Sequence, residues 1–185
     1  MSFEPPQKTG NPRYLFGLLG MTGISGQSTI PTAVAKRLYL AAVWFPARMT
    51  VSGMSLQKTF TGGNARLGLY SDNGNTPTGG RLLVDSGTIA VPATPDRSVI
   101  SYTFKPSELQ VLGPGISAWF AVLFDATITF RCARGQYPVT ESGSETLFGA
   151  RADLAAFGNL PNPCPTVTAD ETTSPLCALR IDSVI

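Results

Sequence analysis

The sequence predicts an all-β protein: an antiparallel β-sandwich of the jelly-roll type with an extended N-terminal arm. The first observation is an alternation of apolar and polar residues, as where Ile100 and Tyr102 oppose Ser101 and Thr103. This period of two is typical of antiparallel strands that are buried on one face. The second is the 19 glycines and 15 prolines, which separate short strand candidates by turns. The third is the lack of any sustained helical period in the sequence. A jelly roll packs about eight short antiparallel strands into two sheets, which agrees with these three observations.

Residues 1–35 predict the extended arm, because they contain many Gly and Pro residues and few strand signals. One apolar patch interrupts the arm, and we expect it to bind a partner: Tyr14, Leu15, Phe16, Leu18 and Leu19. An exposed apolar patch on an extended segment favours association with another protein. The patch could instead pack on its own domain; we favour a neighbouring subunit.

Residues 36–185 predict one domain that contains the sandwich. The strand candidates are short and closely spaced: 37–45, 50–60, 65–71, 81–85, 87–91, 98–104, 117–124, 127–132 and 177–184. A single helical turn is expected at 106–109. Residues 136–175 are predicted to form a long irregular loop region, which contains a Pro-rich connector and a few short apolar segments. A loop of this length in a compact domain is usually functional or contacts another chain.

The clearest local element is a β-hairpin within residues 65–89. Leu67 and Leu69 share one face of its first strand, and Tyr70 lies on the other face. The loop at 72–75, with the sequence DNGN, supplies the left-handed backbone conformations that a tight reversal needs.

The order of these segments resembles a β-sandwich domain of bacteriophage virion proteins, found in tail fibres and on particle surfaces. The hairpin carries the strand RLGLY, a loop with Gly and Pro, and the stretch LLVDSG. Upstream, an aromatic strand leads into Pro46; downstream, the sequence LGPG at 112–115 precedes a strand with Trp119. The similarity covers roughly residues 36 to 131, about half of the chain.

The resemblance implies a non-enzymatic virion structural protein, made in the cytoplasm of a bacterial host and localised to the virion. We expect a capsid decoration or cement protein that stabilises the shell at subunit junctions, because no fibre shaft or anchoring domain is visible. Its partners would be the major capsid protein or other virion subunits. Charged residues make up 14% of the chain against about 25% in ordinary proteins, which agrees with a surface that other subunits cover.

Self-association into a homo-oligomer is also expected, with a trimer favoured. The strand at 118–124 is apolar on both faces, whereas antiparallel strands usually expose one face to water. Either a symmetry mate or a loop of the same chain must cover the outer face of this strand.

The alternative function is that of a tail fibre or tail-tip domain that binds host surface carbohydrate. Such a site needs a flat aromatic ring beside polar residues, and the candidates are Tyr137, Tyr70, Arg66 and Asp72. Trp44, Trp119 and Tyr70 lie in apolar strands and are expected in the core or in an interface. Tyr137, between Gly and Pro residues, is expected to be the exposed ring.

We predict no catalytic residue, metal site or cofactor. The chain contains no histidine, which excludes Ser-His-Asp and Cys-His nucleophiles and the HExxH zinc motif. A glycosidase needs two carboxylates that face each other across a cleft, and the sequence indicates no such pair. The candidate carboxylates are Asp72, Asp85, Asp125, Glu141, Glu145 and Asp153. Asp72, Asn73 and Asn75 offer oxygen ligands for calcium, although an ordinary Asn/Gly turn explains them better.

Nucleic-acid and membrane binding are not expected. The net charge of +2 comes without a cluster of Lys and Arg, and no apolar run approaches the ~20 residues of a membrane span. The N-terminus lacks the features of a secretory signal, so we expect a cytoplasmic, reducing origin. Three cysteines agree with this origin. Cys132 is expected to be a small core residue, and for Cys164 and Cys177 free thiols are favoured over a disulfide.

Overall fold

A computed structural model of the protein describes residues 13–16, 24–29, 34–57, 62–92, 99–135, 149–169, 174–175 and 177–185. These residues form β-strands and one 3-10 turn, Pro106–Glu108, where the sequence predicts a helical turn. The strands are β1 (Arg13–Phe16), β2 (Ile24–Thr29), β3 (Arg37–Phe45), β4 (Met49–Gln57), β5 (Asn64–Ser71), β6 (Leu82–Asp85), β7 (Ile89–Ala90), β8 (Val99–Thr103), β9 (Gln110–Leu112), β10 (Gly115–Phe124), β11 (Arg131–Gly135), β12 (Gly149–Asp153), β13 (Thr168–Ala169), β14 (Ser174–Pro175) and β15 (Cys177–Val184).

Two large antiparallel sheets contain most of the strands. The five-stranded sheet has the order β1-β15-β4-β8, and β9 also pairs with β4. The seven-stranded sheet has the order β13-β12-β3-β10-β5-β6, and β7 also pairs with β5. A small third sheet has the order β14-β11-β2. From β3 to β10 the chain passes repeatedly from one large sheet to the other. The predicted all-β class with antiparallel sheets is therefore confirmed.

The two large sheets share one hydrophobic core. Met54 and Leu179 from the five-stranded sheet belong to the same buried cluster as Leu67, Leu69 and Phe120 from the seven-stranded sheet. The predicted alternation in the hairpin strand is confirmed, because Leu67 and Leu69 face this core. Burying such side chains provides the main favourable free energy of folding, at about 25 cal/mol per Å² of apolar surface.

A second buried cluster lies on the opposite face of the seven-stranded sheet. Tyr70 and Trp119 belong to it, together with Leu160 and Cys164 from the loop that follows β12. This covering loop, residues 154–167, explains why β10 is apolar on both faces: each face is buried by a different part of the chain. The covering is provided by the same chain, so β10 offers no argument for a trimer.

Part of the region expected to be irregular is a strand. Residues 149–153, with the sequence GARAD, form β12 and pair with residues 37–41 of β3. The prediction of a wholly irregular region at 136–175 is therefore wrong at this point. GARAD contains no β-branched or aromatic residue, so strand propensity gave no signal, and the pairing with β3 determines its conformation.

The described part of the predicted N-terminal arm contains β1 and β2. Strand β1 pairs with β15 of the same chain, with Tyr14 opposite Arg180 and Phe16 opposite Ala178. The backbone of Tyr14, Leu15 and Phe16 thus forms one edge of the five-stranded sheet. Leu18 and Leu19 lie outside the described residues.

Several local predictions are confirmed. The predicted bounds 37–45 and 177–184 are those of β3 and β15. In the hairpin loop, Gly74 and Asn75 have φ angles of 70° and 66°, the left-handed conformation that the sequence indicated. The prediction at 127–132 is less accurate, since β11 begins only at Arg131.

Candidate functional site

Arg66, a predicted carbohydrate ligand, holds the covering loop in place. Its Nε donates a hydrogen bond to Oδ1 of Asp85 at 3.1 Å, and its NH1 donates to Oδ1 of Asn159 at 2.9 Å. The second oxygen of Asp85 accepts the backbone N–H of Leu160 at 3.3 Å. The side chains of Arg66 and Asp85 are 12% and 20% exposed. Arg66 and Asp85 therefore form an ion pair within the hairpin, and each partner also bonds to the covering loop.

Tyr70 lies in the outer cluster and has no exposed ring face. Its side chain is fully buried, and its hydroxyl donates a hydrogen bond to the carbonyl oxygen of Pro161 at 2.8 Å. Burial raises the pKa of Tyr70 above its ordinary value of 10.0. The expectation of a core position is confirmed, and a buried ring cannot stack on a sugar. Tyr70 does not form a carbohydrate platform in this structure.

Asp72 uses both carboxylate oxygens inside the protein. Oδ1 accepts a hydrogen bond from Nε1 of Trp119 at 2.7 Å, and Oδ2 accepts from the backbone N–H of Asn75 at 2.9 Å. The amide of Asn73 donates to the carbonyl oxygen of Thr78 at 2.9 Å. The loop thus has the bonding of a turn. Among the described residues, no group of three or more His, Cys, Asp or Glu side chains could hold a metal ion.

The other described carboxylates from the glycosidase list also support local structure. Asp125 accepts two hydrogen bonds from Asn64, from its backbone N–H and its side-chain amide, both at 2.6 Å. Asp153 forms an exposed ion pair with Arg37, whose hydrogen bond lowers the pKa of that carboxyl. Glu141 and Glu145 lie outside the described residues. The described members of the list therefore have structural partners that account for their positions.

The aromatic candidates for a sugar platform separate clearly by exposure. Trp119 is fully buried, as expected, whereas Trp44 is 40% exposed. Of the two positions expected for Trp44, the core is therefore excluded, and an interface stays a prediction. Trp44 shares a face of β3 with Leu40 and Ala42, which belong to the second buried cluster, but Trp44 is not a member of that cluster. Tyr137 lies outside the described residues.

A groove of about 450 Å³ crosses the outer face of the five-stranded sheet, over β15, β4 and β8. Cross-strand rows of small and hydroxyl side chains line it. One row contains Arg180, Gly53 and Thr103, and the next contains Ala178, Ser55 and Ser101. Ser101 and Thr103 lie on one face of β8, as their alternation with Ile100 and Tyr102 predicted. The side chain of Tyr102 packs against the inner core on the other face, and its hydroxyl donates to Oε2 of Glu108 at 2.8 Å.

Arg180 is the charged residue of this groove. Its side chain is half-buried and makes no ion pair with any described carboxylate. It lies over Gly53: a Cβ at that position would be 3.4 Å from Cβ and 3.7 Å from Cδ of Arg180. It would also be 2.9 Å from the carbonyl oxygen of Tyr102, so the glycine permits this close packing. This groove was not predicted from the sequence; the one signal that could have indicated it is Gly53, because a glycine inside a strand often marks a close approach.

Exposed apolar side chains gather at the other end of the same sheet. Val111 of β9 is 47% exposed, and the C-terminal Val184 and Ile185 are 49% and 68% exposed. Leu109, just before β9, is 43% exposed. Strand pairing brings the ends of β9 and β15 together on β4: Met49 is opposite both Leu112 and Val184, and Thr50 is opposite both Val111 and Ser183. Val111 and Val184 therefore lie in neighbouring rows, on opposite faces of the sheet. We call these four residues the apolar end of the five-stranded sheet.

Comparison of the chain with models of protein families found no match, and comparison with curated proteins found no significantly similar sequence. Within the described ranges, no helix has the length and apolar character needed to cross a membrane.

Proposed function

We propose that the chain is a non-enzymatic structural protein of a bacteriophage virion. In this proposal it is a jelly-roll β-sandwich that decorates the capsid and stabilises the shell at subunit junctions, after synthesis in the cytoplasm of a bacterial host. The resemblance of residues 36–131 to virion domains supports the family. The repeated passage of the chain between two sheets that share a core supports the sandwich.

The observation that carries the proposal is the apolar end of the five-stranded sheet. Four large apolar side chains are exposed there, while the described members of the carboxylate list have structural partners. The proposed partner is the major capsid protein or another virion subunit. Fully burying a Val, Leu or Ile side chain stabilises a contact by about 1.5–3 kcal/mol, before the cost of association is subtracted.

The N-terminal arm is the second proposed contact. Strand β1 forms the edge of the five-stranded sheet opposite β8 and pairs with no described strand other than β15, and the edge of a sheet can accept a strand from a neighbouring protein. The arm and the apolar end thus lie on one sheet. If the chain forms a homo-oligomer, the contact must use such surfaces, because the outer face of β10 is covered by residues 154–167.

The proposal is tested by binding the purified protein to capsids assembled without it. Val111→Ser and Ile185→Ser should each weaken binding about tenfold, which corresponds to about 1.4 kcal/mol of lost apolar burial. Val99→Ser is the matched control, because Val99 is 58% exposed on the same sheet but lies at its other end. Equal binding by all three variants and the unmodified protein would exclude the apolar end as the capsid contact.

A further inference from the structure

We propose that the groove over Gly53 and Arg180 binds an anionic saccharide, through the carboxylate or phosphate group that such a sugar carries. This goes beyond the proposed capsid role. The groove is separate from the apolar end, while β1, the second proposed capsid contact, pairs with β15 beside it, with Tyr14 opposite Arg180. The groove lies over the second half of β4, from Gly53 to Gln57, whereas the apolar end lies at the start of β4. A protein anchored at its apolar end would leave the groove free.

The charge of the groove selects for an anion. Arg180 lines it, and the described lining residues include no Asp or Glu. Arg180 is half-buried and has no ion pair with a carboxylate among the described residues. An Arg side chain presents a planar fork of donors that matches a carboxylate or a phosphate, and such charge-assisted hydrogen bonds are about twice as strong as neutral ones.

The remaining lining suits a polyhydroxylated ligand. Ser55, Ser101 and Thr103 belong to adjacent strands, which lie about 4.8 Å apart, and present hydroxyl groups that can both donate and accept. Ser101 and Thr103 have no side-chain hydrogen bond to a described residue, and Ser55 makes a long one of 3.4 Å to Ala178. The volume of about 450 Å³ lies within the usual range of small-ligand sites.

The position of the groove argues for a sugar over a peptide. Extended peptides usually bind by adding a strand to a sheet edge, where backbone groups are unpaired. In the groove, β4 is flanked by β15 and β8 on both sides, so its backbone groups are already used within the sheet. The recognition groups that the described lining offers are the hydroxyls of Ser55, Ser101 and Thr103 and the guanidinium of Arg180.

The matched probes are tri-galacturonic acid, its methyl ester and galactose 1-phosphate, each titrated into the purified protein by calorimetry. The ester keeps the sugar skeleton and removes the charge. Tri-galacturonic acid or the sugar phosphate should bind, and the ester should bind at least about tenfold more weakly. Preferential binding of either anion supports the proposal and identifies which anion the groove accepts.

Arg180→Gln should weaken binding of the anionic probe about tenfold or more, because it removes the charge but keeps polar atoms. Arg81→Gln is the matched control, since Arg81 is exposed and lies next to β6 of the other sheet. Thr103→Val, a nearly isosteric change at an exposed position, should weaken binding several-fold. Equal binding of acid and ester, no effect of Arg180→Gln, or no binding of any probe at millimolar concentration would overturn the proposal.

Discussion

The indole Nε1 of Trp119 donates a hydrogen bond to Oδ1 of Asp72 over 2.7 Å, which joins the centre of the seven-stranded sheet to the hairpin loop. Trp119 is fully buried, so its N–H needs a partner within the protein. The other oxygen of Asp72 holds the backbone N–H of Asn75. One carboxylate therefore serves both the turn and the buried indole.

Asp72→Ala should lower the free energy of unfolding by about 1–3 kcal/mol, because it leaves the buried indole N–H without an acceptor. Urea denaturation measures this change. Asp182→Ala is the control, since Asp182 is exposed near the end of β15, and it should change stability by less than about 0.5 kcal/mol. Equal effects of the two substitutions would contradict a structural role for the bond.

Gly68 and Leu160 should be energetically coupled. A Cβ at Gly68 would collide with Cδ1 of Leu160, so the covering loop packs directly on the bare backbone of β5. Gly68→Ala should cost about 1–3 kcal/mol by overpacking, and Leu160→Ala about 2–5 kcal/mol by leaving a cavity. In the double variant the new methyl group occupies part of that cavity, so its cost should be less than the sum by about 0.5–3 kcal/mol.

The double-mutant cycle is measured by urea denaturation of all four proteins under one condition. Strict additivity, within about 0.3–0.5 kcal/mol, would show that the covering loop does not contact β5 in solution.

The ion pair between Arg66 and Asp85 should contribute more to the free energy of unfolding than the ion pair between Arg37 and Asp153. Asp85→Ala removes the acceptor for Arg66, Leu160 and Gly87 and should cost about 1–3 kcal/mol. It should also speed proteolysis within residues 154–167, because the covering loop loses an anchor. Asp153→Ala breaks a pair in which the carboxylate is 72% exposed, and it should cost less than about 1 kcal/mol.

These two variants form a matched pair, since each removes one aspartate from an Arg–Asp contact. Limited proteolysis followed by mass spectrometry locates the cleavage sites. Cleavage of residues 154–167 at the same rate in both variants would exclude Asp85 as the anchor of the covering loop.

Cys164 should make stability fall at alkaline pH. Burial raises the pKa of its thiol from the ordinary 9.0 to about 12. Between these values the unfolded chain has lost the proton while the folded protein keeps it, so stability decreases as pH rises from 9 towards 12. Cys164→Ala should make this decrease shallower. Urea midpoints under reducing conditions from pH 8 to 11 provide the measurement, and an unchanged pH dependence in the variant would refute burial of the thiol.

The sequence predicted most of the inner core, because period-two alternation depends only on local order. Leu67 and Leu69 were assigned to the buried face of the hairpin in this way. Strand β12 was missed because the residues of GARAD have little strand propensity, and its place is determined by pairing with β3. The apolar residues of 154–157 indicated that the loop must pack somewhere, but no local pattern shows which face it covers.

The candidate site was less predictable, since it combines residues that are distant in sequence. The sequence predicted a carbohydrate site from polar and aromatic residues near one turn. In the structure these residues bond within the protein instead: Arg66 to Asp85, Tyr70 to Pro161 and Asp72 to Trp119. The groove depends on the register between β4, β8 and β15, which joins Gly53 to Thr103 and Arg180. The groove was not predicted from the sequence, although a glycine inside a strand, Gly53, could have indicated it.

The most direct test of the proposed virion role is the copy number of this chain per purified particle, measured by quantitative mass spectrometry. We predict a copy number comparable to that of the major capsid protein, because a decoration protein occupies positions over the whole shell. A copy number that matches only a minor tail component would contradict the decoration role and favour the tail-fibre alternative. Absence from purified particles would contradict any virion role.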